Sequence, residues 1–186
     1  QFIETVFTRY VTVFFSHQWL AFGDPDPRGE QYAVMVKAAR SIAALEKVPL
    51  EDIFLWVDVI SISQSCRSVQ TLAINSLPCF ASLLKYFVTV CPTVKHADTG
   101  AVCNKASYHE RCWCRAELMS FWARNGTERM FYATGGSGAA RRSEVGGEEP
   151  EGMALEPMAP EGVTESFVDA IKVFHGSLSC CRLGHA

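Results

Sequence analysis

Residues 11–16, VTVFFS, constrain the fold more than any other stretch of this chain. The run is β-branched and aromatic, with no alternation between an apolar and a polar face. A half-exposed strand alternates; one that does not needs cover on both sides. Three further segments read as strands: Ile53 to Val57 within LEDIFLWVDV, KYFVTVC (85–91) and RMFYAT (129–134). Between them lie segments with helical patterning. EQYAVMVKAARSIAAL (30–45) is rich in alanine, and Tyr32, Val36, Ala39 and Ala43 share one stripe. TLAINSLPCFASLL (71–84) is a helix that Pro78 should kink or divide. YHERCWCRAELMSFWARNG (108–126) is the strongest helix, with Cys114, Leu118, Phe121 and Trp122 along one face and Gly126 as its stop. Alternation of strand and helix predicts an α/β domain with a central parallel sheet between helical layers.

In such a fold ligands collect beyond the C-terminal ends of the strands. The first strand ends in FFSHQWL (14–20), whose Ser16, His17, Gln18 and Trp19 donate, accept and stack. The second ends at Asp58. Both ends belong to one edge of a parallel sheet, so that edge is where a pocket is expected. FGDPDPRGEQ (22–31) and SISQSCRSVQ (61–70) read as loops, and residues 92–107 as a long insertion.

The 186 residues are read as a single domain spanning 1–186, with a flexible Gly/Pro/Glu-rich insertion at about 135–162. Residues 163–178 return to apolar periodicity, as a last helix or a helix followed by a short strand. Net charge is -3. The acidity is local: residues 135–165 hold seven Glu against Arg141 and Arg142. No basic footprint for nucleic acid exists. Neither GxGxxG after the first strand nor GxxxxGK[ST] is present, so dinucleotide-fingerprint and P-loop readings fail on their own motifs. Of eight cysteines, Cys79 and Cys91 lie in apolar stretches as small hydrophobes. No signal peptide is visible and no apolar run approaches ~20 residues, so a cytoplasmic, reducing setting is expected, with no membrane partner. Gln1 leaves room for chain upstream.

Glu117 carries the main chemical question. It is either a solvated helix carboxylate paired with Arg124 or Arg115, or a carboxylate aimed at the strand-end cleft, where it would bind ribose hydroxyls or stabilise developing positive charge. Asp58 is either a loop anchor through backbone N–H groups or a ligand-contacting acid. Ser61 and Gln64 share that ambiguity. His109, Cys112 and Cys114 form H-x-x-C-x-C, with Cys103, His96 or Cys91 as a fourth ligand. Side chains two apart on a helix diverge, so a metal site is not expected. No base pairs identifiably with Cys112 as a nucleophile.

Taken in order, these segments resemble a family. VTVFFSHQW resembles the first strand and loop of TIR domains, and FLWVDVISISQ their second strand, still more that of the TIR-like heterokaryon-incompatibility domains. LAINSLPCFASLLKYFVTVCP resembles the following helix and strand, and CWCRAEL the plant-type WCLxEL helix. The resemblance covers residues 11–134. It implies a three-layer flavodoxin-like fold, a role in signalling or immunity, and oligomerisation through TIR-like contacts. In catalytic members the helix Glu, here Glu117, is required for NAD cleavage. Phe15, Ser16, His17 and Trp19, with Asp58 and Ser61 at the outer edge, would line the pocket, Trp19 or Phe15 stacking on a ring. His17 and Gln18 stand where an Arg-containing loop start is commoner. The implied activity is NAD glycohydrolase, with NAD as substrate and no cofactor. Two alternatives are a non-catalytic self-association module and an enzyme transferring glycosyl groups between nucleosides.

Overall fold

The computed structural model describes residues 9–63, 65–135 and 155–159. Its main sheet has the order β2-β1-β3-β6-β7, with β1 Val11–His17, β2 Ile53–Val57, β3 Tyr86–Val90, β6 Met130–Ala133 and β7 Glu156–Pro157. β1 pairs parallel with β2 and β3, and β3 parallel with β6. β7 pairs antiparallel with β6, so the sheet is mixed and mostly parallel rather than wholly parallel. The last pairing lies inside the segment expected to be a loose insertion: Leu155 and Met158 flank β7 and are buried. Residues 136–154 and 160–178 lie outside the described residues.

The pleat of β1 sorts its residues between two cores. Val11, Val13 and Phe15 face α1 (Glu30–Glu46), packing with Val34, Ala38, Ala39 and Ile42. Phe14 faces the opposite side, where α4 (Leu77–Leu83) and α6 (Cys112–Asn125) supply Leu77, Ala81, Cys114, Leu118 and Phe121. Phe14 is stacked between Trp56 and Phe87, with centroids 4.2 and 5.3 Å away. Truncating it to Ala should cost about 3–5 kcal/mol. Helices on both sheet faces give a three-layer α/β architecture.

Several boundaries differ from expectation. The buried stripe of α1 is Gln31, Val34, Ala38, Ala39, Ile42 and Ala43, while Tyr32 is exposed. The polar segment 61–70 is not wholly loop: α2 (Asp58–Ser61) follows β2 directly, and α3 (Arg67–Asn75) begins within it. The chain breaks at Ser76, ahead of Pro78, which occupies the first turn of α4, where a missing N–H costs nothing. The helix expected over 108–126 is two: α5 (Lys105–His109), opened by an Asn104–Ser107 capping box, then α6, stopped by Gly126 at φ 70°. Cys79 is exposed, unlike Cys91. β2 is not covered on both sides. Among the described residues it forms the sheet's edge, with Phe54 51% and Leu55 40% accessible.

The insertion 92–107 has structure of its own. β4 (Val94–Lys95) and β5 (Val102–Cys103) form a small antiparallel hairpin. It clamps the loop after β1: Ala97 N–H donates to Leu20 O (2.7 Å), Phe22 N–H to Asp98 Oδ2 (2.7 Å) and Arg28 Nη2 to Lys95 O (3.1 Å).

Candidate functional site

Parallel pairing of Phe15 with Val57 sets the end of β1 beside the start of α2. The pleat then sends consecutive residues in opposite directions. Ser16 turns toward α6, and His17 toward α1 and α2.

On the α6 side, the Ser16 hydroxyl makes a short hydrogen bond to Glu117 Oε2 and meets Tyr108 Oη at 2.6 Å. Tyr108 Oη also donates to Cys114 O at 3.3 Å. The Cys114 thiol reaches His17 O at 3.7 Å, tying α6 to the strand end. Ser16, Tyr108 and Glu117 are all buried. Glu117 is therefore not the solvated carboxylate of the alternative reading, and no ion pair with a described residue reaches it. Burial pushes its pKa up to about 8 and nearby Asp58 adds to the rise; the Ser16 hydrogen bond and the charges of His17 and Arg111 oppose it only in part. At neutral pH this carboxyl is mostly protonated.

On the other side, Gln31 Nε2 donates to Gln18 O at 2.7 Å. That bond fixes the amide so that Gln31 Oε1 faces His17 Nδ1 at 2.8 Å. His17 Nε2 meets Asp58 Oδ1 at 2.8 Å. Both ring nitrogens face acceptors, so both carry protons and the ring is an imidazolium. Burial works against that charge, but the hydrogen bond and negative charge of Asp58, helped by Gln31, outweigh it and raise the His17 pKa. Asp58 is held low in turn: burial favours its acid form, but His17, the Trp19 indole N–H (3.1 Å) and the Val59 N–H (2.6 Å) prevail. Asp58 is thus a loop anchor that also carries charge at the strand ends.

Of the residues expected at the pocket, the fold brings Ser16 and Glu117 into contact and joins His17, Trp19 and Asp58 into a second cluster alongside. Phe15 is packed in the α1-side core. The Ser61 hydroxyl accepts from Val57 N–H at 3.2 Å, and Ser61 lines an apolar groove of about 210 Å³ with Trp56, Val69, Leu72 and Phe80. Gln64 lies outside the described residues. Among the described residues no group of three or more His, Cys, Asp or Glu is placed to hold a metal ion. His109 Nε2 instead meets Tyr132 Oη at 2.9 Å.

Tyr108, Gln31 and Ser107 were missed as site residues. Gln31 left a signal: it shares the spacing of Val34, Ala38 and Ile42, a polar residue on the buried stripe. Ser107 Oγ donates to Gln18 Oε1 at 3.0 Å, holding the loop after β1 against α5. No local pattern marks Tyr108, and only tertiary packing sets it behind Ser16.

Comparison with protein-family models, with curated proteins and with solved structures returned no match. Among the described residues, no helix is long and apolar enough to cross a membrane.

Proposed function

We propose that this chain is a TIR-like domain of flavodoxin-like strand order. Within that class we read it as an NAD glycohydrolase. One observation carries the reading: a buried carboxyl, Glu117, is held against the C-terminal end of the central strand by Ser16. That edge is where ligands gather in open α/β sheets. The order of the four parallel strands, β2-β1-β3-β6, with its crossing point at β1 and β3, supports this reading; antiparallel β7 departs from it.

The reaction breaks the bond between ribose C1′ and the pyridinium nitrogen. The bond electrons leave with nicotinamide, which departs neutral. Water adds at C1′ and gives up a proton, leaving ADP-ribose. Positive charge grows on the ribose as the bond lengthens, and ionised Glu117 stabilises it in a site of low dielectric. The carboxyl takes up a ribose hydroxyl in the place now held by Ser16. His17 keeps, as an imidazolium, the positive charge that an Arg-containing loop start supplies elsewhere. Trp19 and Asp58 form the outer wall. Because Glu117 is mostly protonated at neutral pH, turnover is expected to climb with pH through about 8.

The test follows nicotinamide release by chromatography from NAD with folded protein, dilute and concentrated. Release that disappears in Glu117→Gln is expected. Absence of release at every concentration and pH would remove the catalytic reading.

A second reading rests on a different surface. Phe54, Leu55, Ile60, Val69, Leu72 and Phe80 are exposed along the β2 flank. An open strand edge with such neighbours favours a non-catalytic module that associates with a second copy of itself. Light scattering that shows concentration-dependent assembly, unchanged by Glu117→Gln, would support it.

A further inference from the structure

We infer that Ser16 and Tyr108 are positioning residues for Glu117, forming a hydrogen-bond chain that reverses direction when the carboxyl gains or loses its proton. The inference rests on the proposal that Glu117 is the working group, and it concerns how that group is held and regulated.

The chain runs from the Glu117 carboxyl through two hydroxyls to one terminal acceptor. Ser16 touches Glu117 on one side and Tyr108 on the other, and Tyr108 reaches the Cys114 carbonyl. With Glu117 protonated, Glu117 donates to Ser16, Ser16 to Tyr108 and Tyr108 to Cys114 O. Every proton has an acceptor. When Glu117 loses its proton to solvent, the two hydroxyls rotate. Tyr108 donates to Ser16 and Ser16 to the carboxylate, and the Cys114 carbonyl gives up its Tyr108 donor. No other proton moves between residues. Both Ser16 and Tyr108 are buried, so water does not replace a lost partner without cost. A sugar hydroxyl arriving at Glu117 competes with Ser16 for the same oxygen, so the chain also sets the cost of substrate entry. The other charged or titratable groups facing Glu117 are His17 on β1, Asp58 at the start of α2, Arg111 ahead of α6 and Cys114 on α6.

Deleting the two hydroxyls should move Glu117 in opposite directions. Tyr108→Phe strips the protonated form of two links, from Ser16 to Tyr108 and from Tyr108 to Cys114. The ionised form loses only one, from Tyr108 to Ser16. The acid form suffers more, and the titration midpoint falls. Ser16→Ala removes the donor to the buried carboxylate, and a hydrogen bond to an ion outweighs one to a neutral acid. The midpoint then rises. Each shift should be roughly one pH unit, the equivalent of one buried hydrogen bond.

The experiment titrates the Glu117 side-chain carboxyl by 13C NMR in glutamate-labelled protein, with Glu117→Gln identifying the resonance and near-UV circular dichroism confirming the fold. Opposed shifts, down in Tyr108→Phe and up in Ser16→Ala, are expected. Unmoved midpoints, or shifts of one sign in both folded variants, overturn the inference. Should Tyr108→Phe not fold, replacing tyrosine with 3-fluorotyrosine keeps the shape and strengthens the donor; a lower midpoint is expected, and an unmoved one counts against the chain. Opposed shifts without nicotinamide release would leave the chain standing and retire the NAD reading. Release with unmoved midpoints would do the reverse.

Discussion

Two glutamates at opposite ends of the sheet make nearly the same contacts and end in opposite states. Glu46, at the C-terminus of α1, accepts from Tyr86 Oη and from Lys85 Nζ at 2.6 Å. Glu117 shares a short hydrogen bond with Ser16, which is backed by Tyr108. Each carboxyl has a hydroxyl partner and a tyrosine close by. Glu46 also has a bonded cation and partial contact with water, and its hydrogen bonds from Lys85 and Tyr86 outweigh burial and lower its pKa. Glu117 is buried and has no bonded cation among the described residues, and burial raises it to about 8. A tyrosine nearby does not decide ionisation; a bonded cation and access to water do. Glu46 therefore serves as a clamp near the start of β3, whereas Glu117 keeps an exchangeable proton near neutral pH.

That contrast can be broken most forcefully at Glu117. Its folded pKa lies above the unfolded 4.5, so stability is full below 4.5 and falls as pH rises toward about 8. Glu117→Gln removes this loss. Urea denaturation should show a gain that grows across that window and levels off above it at roughly 5 kcal/mol. A pH-independent difference would mean that Glu117 titrates normally.

The next largest effect is expected at His17, whose charge faces the same carboxyl. His17→Ala leaves Asp58 partly buried without its partner and should cost about 3 kcal/mol near pH 6. His17 is raised in the fold, so its contribution is whole below the unfolded 6.5 and disappears as pH rises through the folded value. The smallest change belongs to the clamp. Glu46→Gln should cost about 1 kcal/mol near neutral pH, because the pair is partly exposed to solvent. Its pKa is lowered, so that cost should shrink as pH falls from 4.5 through the folded value. A loss that instead grew with acid would place the two glutamates in the same class.

The four parallel strands were legible because their apolar runs are continuous, and Gly126 marked the end of α6. Helix phase allowed Glu117, one residue from core-facing Leu118, either to reach the strand end or to face solvent; only the fold sets it against Ser16. Helix breaks were less legible. Glu110 and Arg111 carry no turn signal, so the gap between α5 and α6 was invisible. The exposure of β2 was hidden for a different reason. IFLWV reads as a core strand by residue type, and only its place at the sheet's edge leaves Phe54 and Leu55 in contact with solvent. β7 was masked by the Gly/Pro/Glu-rich composition around it. Pairs such as Ser16 with Tyr108, 92 residues apart, depend on tertiary register that no local pattern encodes.

Burial at the strand end keeps Glu117 protonated near neutral pH despite the opposing Ser16 hydrogen bond. The most direct measurement is the titration midpoint of the Glu117 carboxyl in the unsubstituted protein, followed by side-chain 13C NMR from pH 4 to pH 10. A midpoint near 8 is expected. A midpoint near the ordinary 4.5 would place an ionised, solvated carboxylate there and contradict the account.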